Sequence, residues 1–376
     1  MIAYLDNSAT TPICKTAKEK IIFACDECWG NPSSLHEKGI EAETLLNAAR
    51  RAVAKVLSAD EKEIFFTSGG TEGNNLAILG AAHALKRKGS RVITTSIEHP
   101  SVSKAFDRLE SEGFEVIRIG TDPFGNVDIT ELENAVNDKT ILISMMAVNN
   151  EVGTVQPIES LKAIVKRKGA PALIHIDAVQ AFGKIPLNVK KLGADLMTVS
   201  SHKIHGPKGA GALYVKQGVK LVPRAVGGGQ EKDIRPGTEP MVAIAGFLGA
   251  VEELKIKESL EKVQRLRDGF ASQLKGIEGL SFNSPENALP YIVNISLEGI
   301  PSETVLNLLS DMGIYVSSGS ACAKGHKSPV LTAMGLDDKV INSSLRISLS
   351  RFTTKDELTY CAEALLKATK VIMRRK

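Results

Sequence analysis

Three segments of the sequence carry residue types suited to chemistry, and each follows a short β-branched run. They are Ser68-Gly69-Gly70-Thr71-Glu72, His175-Ile176-Asp177 and Ser200-Ser201-His202-Lys203. The first favours an anion, because unpaired N–H groups and the helix dipole meet at a glycine-rich helix start. The other two supply a carboxylate and a lysine. Taken singly, the three segments are also compatible with a glycine turn, a structural acid and a solvated lysine, and for Asp177 alone the structural interpretation is favoured.

Taken together, the three segments match the needs of pyridoxal phosphate. Its phosphate requires N–H and hydroxyl donors, its pyridine nitrogen an anion, and its aldehyde a lysine. Ligands of open α/β sheets bind at the carboxyl ends of the strands, so residues that follow neighbouring strands converge there. A lysine out of water is a good Schiff-base nucleophile. The sequence therefore predicts a cofactor site built on Thr71, Asp177 and Lys203.

Two further residues have a chemical and a structural interpretation. His99, in Ser96-Ile97-Glu98-His99-Pro100, also follows a predicted strand and could stack on a flat ring, although alone it is compatible with a turn. Arg346 alternates with Leu345 and Ile347 on a predicted strand. It could grip a carboxylate with both nitrogens of its fork or simply face solvent.

Cys322 lies in a polar, basic, glycine-containing segment, 317–329, that predicts an exposed loop. Basic neighbours favour the reactive thiolate. Cys25 and Cys28 differ, since they fall in a predicted helix, Lys15–Cys28, without a second cysteine pair for zinc. We interpret them as packing residues and predict no metal site.

The elements that must position these residues alternate between strand and helix. Seven runs predict buried strands: Ile64–Thr67, Arg91–Thr95, Glu115–Ile119, Thr140–Met146, Leu173–Asp177, Leu196–Ser200 and Gly211–Val215. Amphipathic helical patterns separate several of them. This alternation predicts an α/β fold with a mostly parallel seven-stranded sheet flanked by helices.

The pattern changes after one long predicted helix, 242–267. Short strands and helices then mix, which predicts a smaller α+β domain. We place the large domain at 15–255 and the small domain, with the Cys322 loop, at 1–14 and 256–376.

Composition limits the class of protein. The 376 residues are 43% hydrophobic and 24% charged, and the formal net charge is +4. Such a weak charge gives no reason to expect nucleic acid or an anionic membrane as partner. We see no span of about 20 apolar residues and no signal peptide. Five cysteines are few and odd in number, so we expect reduced thiols and a cytoplasmic location.

Eight motifs in this order give the chain a resemblance, almost end to end, to NifS/IscS-type cysteine desulfurases. These enzymes are fold-type I members of the class V aminotransferase superfamily. The motifs are Tyr4–Pro12, Gly30–Ser34, Thr67–Glu72, Val148–Gly153, His175–Gln180, Ser201–Gly209, Arg235–Thr238 and Ser317–Cys322.

The resemblance implies a role for each matching residue. Lys203 would bind the cofactor covalently, Asp177 would pair with its pyridine nitrogen, Gln180 with its phenolic oxygen, and His99 would stack on its ring. The phosphate would be held by Gly70, Thr71, Ser200, His202 and, from the other subunit, Thr238. Asn149 and Arg346 would bind the carboxylate of L-cysteine. Cys322 would accept the sulfur as a persulfide and leave alanine.

The same resemblance implies a homodimer with shared sites and a sulfur-acceptor protein. Sulfur could go to iron–sulfur clusters, to tRNA thiolation or to a cofactor. Two alternatives stay open at this point: selenocysteine lyase, and a non-catalytic subunit that keeps the fold. Lys203 and Cys322 argue against the second, because an idle subunit needs neither. A metalloenzyme based on His202, His205 and the cysteine pair is a third, weaker interpretation.

Overall fold

The computed structural model describes residues 1–318 and 327–373. Its twelve strands, in chain order, are β1 Ala3–Tyr4, β2 Ile64–Thr67, β3 Arg91–Thr95, β4 Glu115–Ile119, β5 Thr140–Met146, β6 Leu173–Asp177, β7 Leu196–Ser200, β8 Gly211–Val215, β9 Leu280–Phe282, β10 Ile292–Leu297, β11 Ile314–Tyr315 and β12 Ser344–Ser348. The seven strands predicted from β-branched runs, now β2 to β8, are confirmed at both ends.

The helices of the described residues alternate with these strands. They are α1 Lys15–Asp26, α2 Glu37–Leu57, α3 Gly70–Leu85, α4 Pro100–Ser111, α5 Ile129–Ala135, α6 Leu161–Lys168, α7 Val189–Leu192, α8 Met241–Glu252, α9 Ile256–Leu274, α10 Ser302–Asp311, α11 Pro329–Ala333, α12 Asp338–Asn342 and α13 Lys355–Met373.

A seven-stranded sheet forms the centre of the molecule, in the order β2-β8-β7-β6-β5-β3-β4. Strand β8 is antiparallel to both of its neighbours, and the other six strands run the same way. Most of these strands are buried throughout, as expected for a sheet covered on both faces. The predicted α/β architecture is confirmed, and the carboxyl ends of β2, β3, β5, β6 and β7 meet at one edge.

A second region lies beyond this sheet. Strands β12, β10 and β9 form an antiparallel sheet, and β1 pairs in parallel with β11. The chain start is joined to this region, because Asp6 bridges Ser348. These pairings agree with assigning residues 1–14 to the smaller domain, and the exact domain boundary stays a prediction.

The single long helix expected over 242–267 is wrong. The structure has two helices there, α8 and α9, with Glu253–Lys255 between them. Helix α8 is apolar on nearly all sides and is buried, whereas α9 exposes a charged face. A straight helix could not serve both environments. Gly246 and Gly249 allow α1 and α8 to approach closely, since a Cβ on Gly249 would lie 2.6 Å from the Thr16 carbonyl oxygen.

In the described part of the chain, we find no helix that is both long and apolar enough to cross a bilayer.

Candidate active site

A cavity of about 280 Å³ lies at the edge where the parallel strands end. Most of the sequence-predicted site residues line it. These are Gly70, Thr71, His99, Asp177, Gln180, Ser200, His202, Lys203 and Arg346. The seven-stranded sheet places all of them except Arg346, because β2, β3, β6 and β7 end at this edge; Arg346 comes from β12.

Lys203 lies in a short helical turn after β7. Its ammonium group donates to the carbonyl oxygens of Ser8 and Ala9, at 2.8 Å for Ala9. The chain start therefore holds the lysine in place from the opposite side of the cavity. This contact links a strand-end residue to a segment almost 200 residues away.

The start of helix α3 forms one end of the cavity. Gly69 precedes it with a φ of 150°, and a Cβ on Gly70 would lie 2.8 Å from a methyl of Val179. Glycine is therefore needed for the helix start to approach the sheet. The Ser200 hydroxyl is buried beside it without a hydrogen-bond partner among the described residues. Unpaired N–H groups, a helix dipole and a spare hydroxyl together suit a phosphate.

Asp177 occupies the carboxyl end of β6. One of its oxygens accepts from the Val179 N–H at 3.0 Å, and the other accepts from the Asn74 amide at 2.8 Å. Asn74 is fully buried, so these bonds hold the carboxylate in one orientation. This places an anion in the cavity wall, where a protonated ring nitrogen could pair with it.

His99 is held by the first turn of α4. Its Nδ1 accepts from the Ser101 N–H at 3.1 Å and contacts the Ser101 hydroxyl at 2.8 Å. Burial lowers the pKa of His99 against the opposing effect of Asp177. The ring is thus neutral near pH 7, with its proton assigned to Nε2. A neutral imidazole can stack on a flat ring and can pass a proton.

His202 is neutral as well. Burial and the nearby Lys203 lower its pKa to about 4. Its Nδ1 lies 3.2 Å from the Thr10 hydroxyl. At neutral pH His202 can therefore offer a hydrogen bond to a phosphate but no positive charge.

Arg346 projects from β12 and is 2% exposed, so the solvent-face interpretation is wrong. It donates to Asp6 at 2.8 Å and to the Asn150 carbonyl oxygen at 3.1 Å. Its Nε is buried without a partner among the described residues. The guanidinium is thus a cation at the cavity wall with donor capacity left, as a substrate carboxylate requires.

Two predicted residues, Asn149 and Thr238, do not line this cavity, and a third lies outside the described residues. The Asn149 amide holds its own turn, accepting from the Glu151 and Val152 N–H groups and donating to the Ile97 carbonyl, and Asn150 lines the cavity instead. Thr238 is exposed and away from the cavity. Cys322 lies outside the described residues. The roles predicted for these three stay predictions.

Sequence reasoning did not single out Ser8, Asn74 or Ser101. The Asn74 amide donates to the Ser101 hydroxyl as well as to Asp177, so it connects the acid to the histidine. Ser8 belongs to the Tyr4–Pro12 motif, which was the only signal for it. Asn74 follows the Gly69-Gly70 turn by one helical turn, and that spacing could have indicated it.

The residues of the metalloenzyme interpretation do not come together. Cys25 is exposed, whereas Cys28 is buried. Burial lowers the pKa of His205 to about 4, and its Nδ1 lies 3.0 Å from the Pro12 carbonyl oxygen. Among the described residues no group of three or more potential ligands is gathered.

The family model of class V aminotransferases matches residues 3–360. The chain belongs to this family. The resemblance found in the sequence is therefore confirmed, and class V membership accounts for the fold-type I sheet and for the cavity at its strand ends.

Individual relatives of this class V chain cover it almost completely. A cysteine desulfurase IscS from Methanosarcina thermophila is 44% identical over 368 residues, which are 96% of this chain and 90% of the relative. Among solved structures, a NifS-like protein has a TM-score of 0.93 at 39% identity and covers 99% of this chain and 100% of its own. The structure described as SspA in complex with cysteine has a TM-score of 0.83 at 34% identity, over 94% and 100%.

Proposed function

We propose that this chain is a pyridoxal phosphate-dependent cysteine desulfurase. It would convert L-cysteine to L-alanine and pass the sulfur to its own Cys322 as a persulfide. The observation that carries the proposal is that one cavity combines Lys203, Asp177, Arg346 and a helix start suited to bind a phosphate. Relatives named cysteine desulfurase, at 41–44% identity over nearly the whole chain, support the same activity.

The residues present fit the cofactor. Gly70, Thr71 and the unpartnered hydroxyl of Ser200 would hold the phosphate, and Asp177 would pair with the ring nitrogen. Lys203 would hold the aldehyde carbon. When bound, pyridoxal phosphate withdraws electrons from the carbon atoms of an attached amino acid.

Thr238 would complete the phosphate site from a second subunit, which makes a homodimer part of the proposal. Its exposed position leaves it accessible to such a partner.

Substrate binding falls to Arg346. Its guanidinium would take the carboxylate of L-cysteine with the donor capacity left beside Asp6 and Asn150. The neutral imidazole of His99 would stack on the cofactor ring and donate a hydrogen bond from its Nε2–H. Arg346 is buried and His99 is half-buried, so bulk water competes little for the hydrogen bonds of Arg346.

The sulfur step balances without an external oxidant. The bond between Cβ and sulfur of L-cysteine breaks, and an S–S bond to Cys322 forms. A proton replaces the sulfur on Cβ, and the product is alanine. The persulfide then carries the sulfur to an acceptor protein, and a cytoplasmic location is the prediction that fits reduced thiols.

The test is a comparison of wild type with Cys322→Ala, both loaded with pyridoxal phosphate. Wild type is expected to release alanine from L-cysteine and to carry a persulfide detectable by mass. Cys322→Ala should still bind the cofactor and change its absorption on adding L-cysteine, but release neither alanine nor sulfide. Near wild-type alanine release by the variant would contradict the role of Cys322.

A second substrate separates the alternatives. If Cys322→Ala retains activity toward selenocysteine only, the chain is a selenocysteine lyase, because the weaker carbon–selenium bond can break without an attacking thiol. A wild-type chain that never binds the cofactor would instead favour a non-catalytic subunit.

A further inference from the structure

Lys184 is a buried lysine that the proposed reaction does not use. It lies in the turn that follows β6, four residues after Gln180, and is 6% exposed. In the described part of the chain it forms no ion pair with a carboxylate. Its ammonium group lies 5.6 Å from the centre of the Tyr291 ring and donates to the Gln180 side-chain oxygen at 3.0 Å.

Burying the charged form of a lysine at this position costs free energy. Burial, together with the charges of Lys203 and Arg346, lowers its pKa to about 7. A buried, unpaired ammonium is usually replaced without loss by an apolar side chain of similar volume. Two contacts distinguish the lysine from a methionine at this position: the ammonium group near the Tyr291 ring and the hydrogen bond to Gln180, which alone reaches the cavity.

Two hydrogen bonds, from Lys184 and to the Ser8 carbonyl, together orient the Gln180 amide. The Gln180 nitrogen donates to the Ser8 carbonyl oxygen at 3.0 Å. A carbonyl oxygen only accepts, so the NH₂ group must face Ser8, and the amide oxygen then faces Lys184 and accepts from it. Gln180 lines the cavity, and one N–H of its NH₂ group remains beyond the bond to Ser8.

The same contacts extend to Lys203. The Ser8 carbonyl oxygen accepts from Lys203 as well as from Gln180. A chain of hydrogen bonds thus runs from Lys184 through Gln180 and Ser8 to the proposed nucleophile. All of these groups are at least partly buried. The bonds from Lys184 to Gln180 and from Gln180 to Ser8 are directed the same way and strengthen each other, whereas Lys203 shares the Ser8 oxygen with Gln180.

We propose that Lys184 is a positioning residue that holds the Gln180 amide with its N–H toward the cofactor. This proposal rests on the proposed function, in which Gln180 pairs with the phenolic oxygen of pyridoxal phosphate. Lys184 itself does not touch the cofactor. Without Lys184 only the bond to Ser8 would orient the amide, so rotated amides, which present the carbonyl oxygen to the phenolic oxygen, would be less disfavoured.

The experiment replaces Lys184 with methionine, which keeps the length and removes the donor. Cofactor affinity is measured by titrating apoprotein with pyridoxal phosphate, and the absorption maximum of the bound cofactor is recorded. We expect affinity to fall about two- to tenfold, the equivalent of one hydrogen bond, and the absorption maximum to shift. The melting temperature should stay the same or rise, because a buried unpaired charge is removed.

A double-mutant cycle identifies the route of the effect. If Lys184 acts through Gln180, then Lys184→Met should change neither affinity nor absorption in a Gln180→Ala background. Lys190→Met, which removes an exposed lysine of the same segment, is the matched control and should resemble wild type. Should Lys184→Met not fold, Lys184→Gln is used in the same cycle.

Three results would overturn the proposal: an unchanged absorption maximum and affinity, a lower melting temperature as the sole change, or an equal effect with and without Gln180. Failure of the proposed function looks different. In that case wild type itself would bind no pyridoxal phosphate and show no cofactor absorption.

Discussion

The two sides of the cavity acquire their charged residues in different ways. On the side of the seven-stranded sheet, Asp177 and Lys203 lie at or just after strand ends, and the order of the strands brings them together. On the other side, Arg346 lies within β12 and is paired with Asp6, 340 residues earlier in the chain.

The difference has consequences for how each side responds to substitution. The strand-end side is built on a continuous sheet, so a change of one side chain leaves its neighbours in place. The Arg346 side depends on an ion pair that joins the chain start to β12, so function and stability are coupled there. Four predictions test this contrast, from the largest expected effect to the smallest.

Lys203→Ala is expected to abolish conversion of L-cysteine completely, because no other lysine of the described chain lies in the strand-end cavity. Pyridoxal phosphate should still bind through its phosphate. The measurement is alanine release together with cofactor absorption. Lys208→Ala, which removes an exposed lysine five residues later, is the control and should retain turnover. Substantial alanine release by Lys203→Ala would refute its role.

Arg346→Lys should lower kcat/KM for L-cysteine by about 30- to 900-fold, the equivalent of roughly 2–4 kcal/mol for a charge-assisted pair. An ammonium cannot reproduce the planar fork that binds a carboxylate at two points. Most of the loss should appear in KM. Steady-state kinetics of Arg351→Lys provide the comparison, since Arg351 pairs with Glu253 instead. A larger loss in Arg351→Lys would place the carboxylate clamp there.

Asp6→Asn tests whether the Arg346 side couples function to stability. It removes the charge that compensates Arg346, a side chain 2% exposed, and should lower the free energy of unfolding by about 1–3 kcal/mol. Urea denaturation measures the change. Asp107→Asn, which disrupts an exposed pair with Arg118, should cost less than about 1 kcal/mol. If both variants lost the same free energy of unfolding, the Asp6–Arg346 pair would stabilise the fold no more than an exposed ion pair does.

Glu98→Gln tests the strand-end side through the pH dependence of stability, and its effect is the smallest when it is measured over a single pH unit. Burial raises the pKa of Glu98 to about 8, so the folded chain keeps a proton that the unfolded chain releases above about pH 5. Wild-type stability should therefore fall as pH rises from 5 to 8, by at most about 1.4 kcal/mol per pH unit from this group. Glutamine does not titrate, so the stability of Glu98→Gln lacks this contribution to the pH dependence. Denaturation at several pH values should show the variant gaining relative to wild type, and a constant difference would contradict the assignment.

Much of the strand-end side could be predicted from the sequence. Strands of such a sheet are β-branched runs bounded by turn residues, and all seven were located from that pattern, including the antiparallel β8 and the partly exposed β4. Once their ends lie at one edge, Thr71, Asp177 and Lys203 must be neighbours. The partners of these residues were not predictable, because Asn74 reaches Asp177 through a side-chain contact between elements 103 residues apart.

The small-domain side was predicted less completely. The alternation of Arg346 with two apolar residues predicts a strand, but the same alternation occurs whether the arginine is buried or exposed. Its burial follows from Asp6 and Asn150, which neither spacing nor hydropathy relates to β12. The break between α8 and α9 has a similar cause, since both halves favour helix and only their different surroundings separate them.

The sequence by itself determined which reactive residue types occur along this chain and in what order. A glycine-rich helix start comes first, then a histidine, an acid and a lysine, each at or just after the end of a strand. Those are local patterns, set by backbone preferences and by the alternation of strand and helix. Only the tertiary structure decided the orientation and charge of the groups. The neutral state of His202, the burial of Arg346 and the bond from Lys184 to Gln180 depend on desolvation and on contacts between distant segments. Such effects arise only in the folded chain, because the energy of a charge removed from water depends on the charges and hydrogen-bonding groups around it.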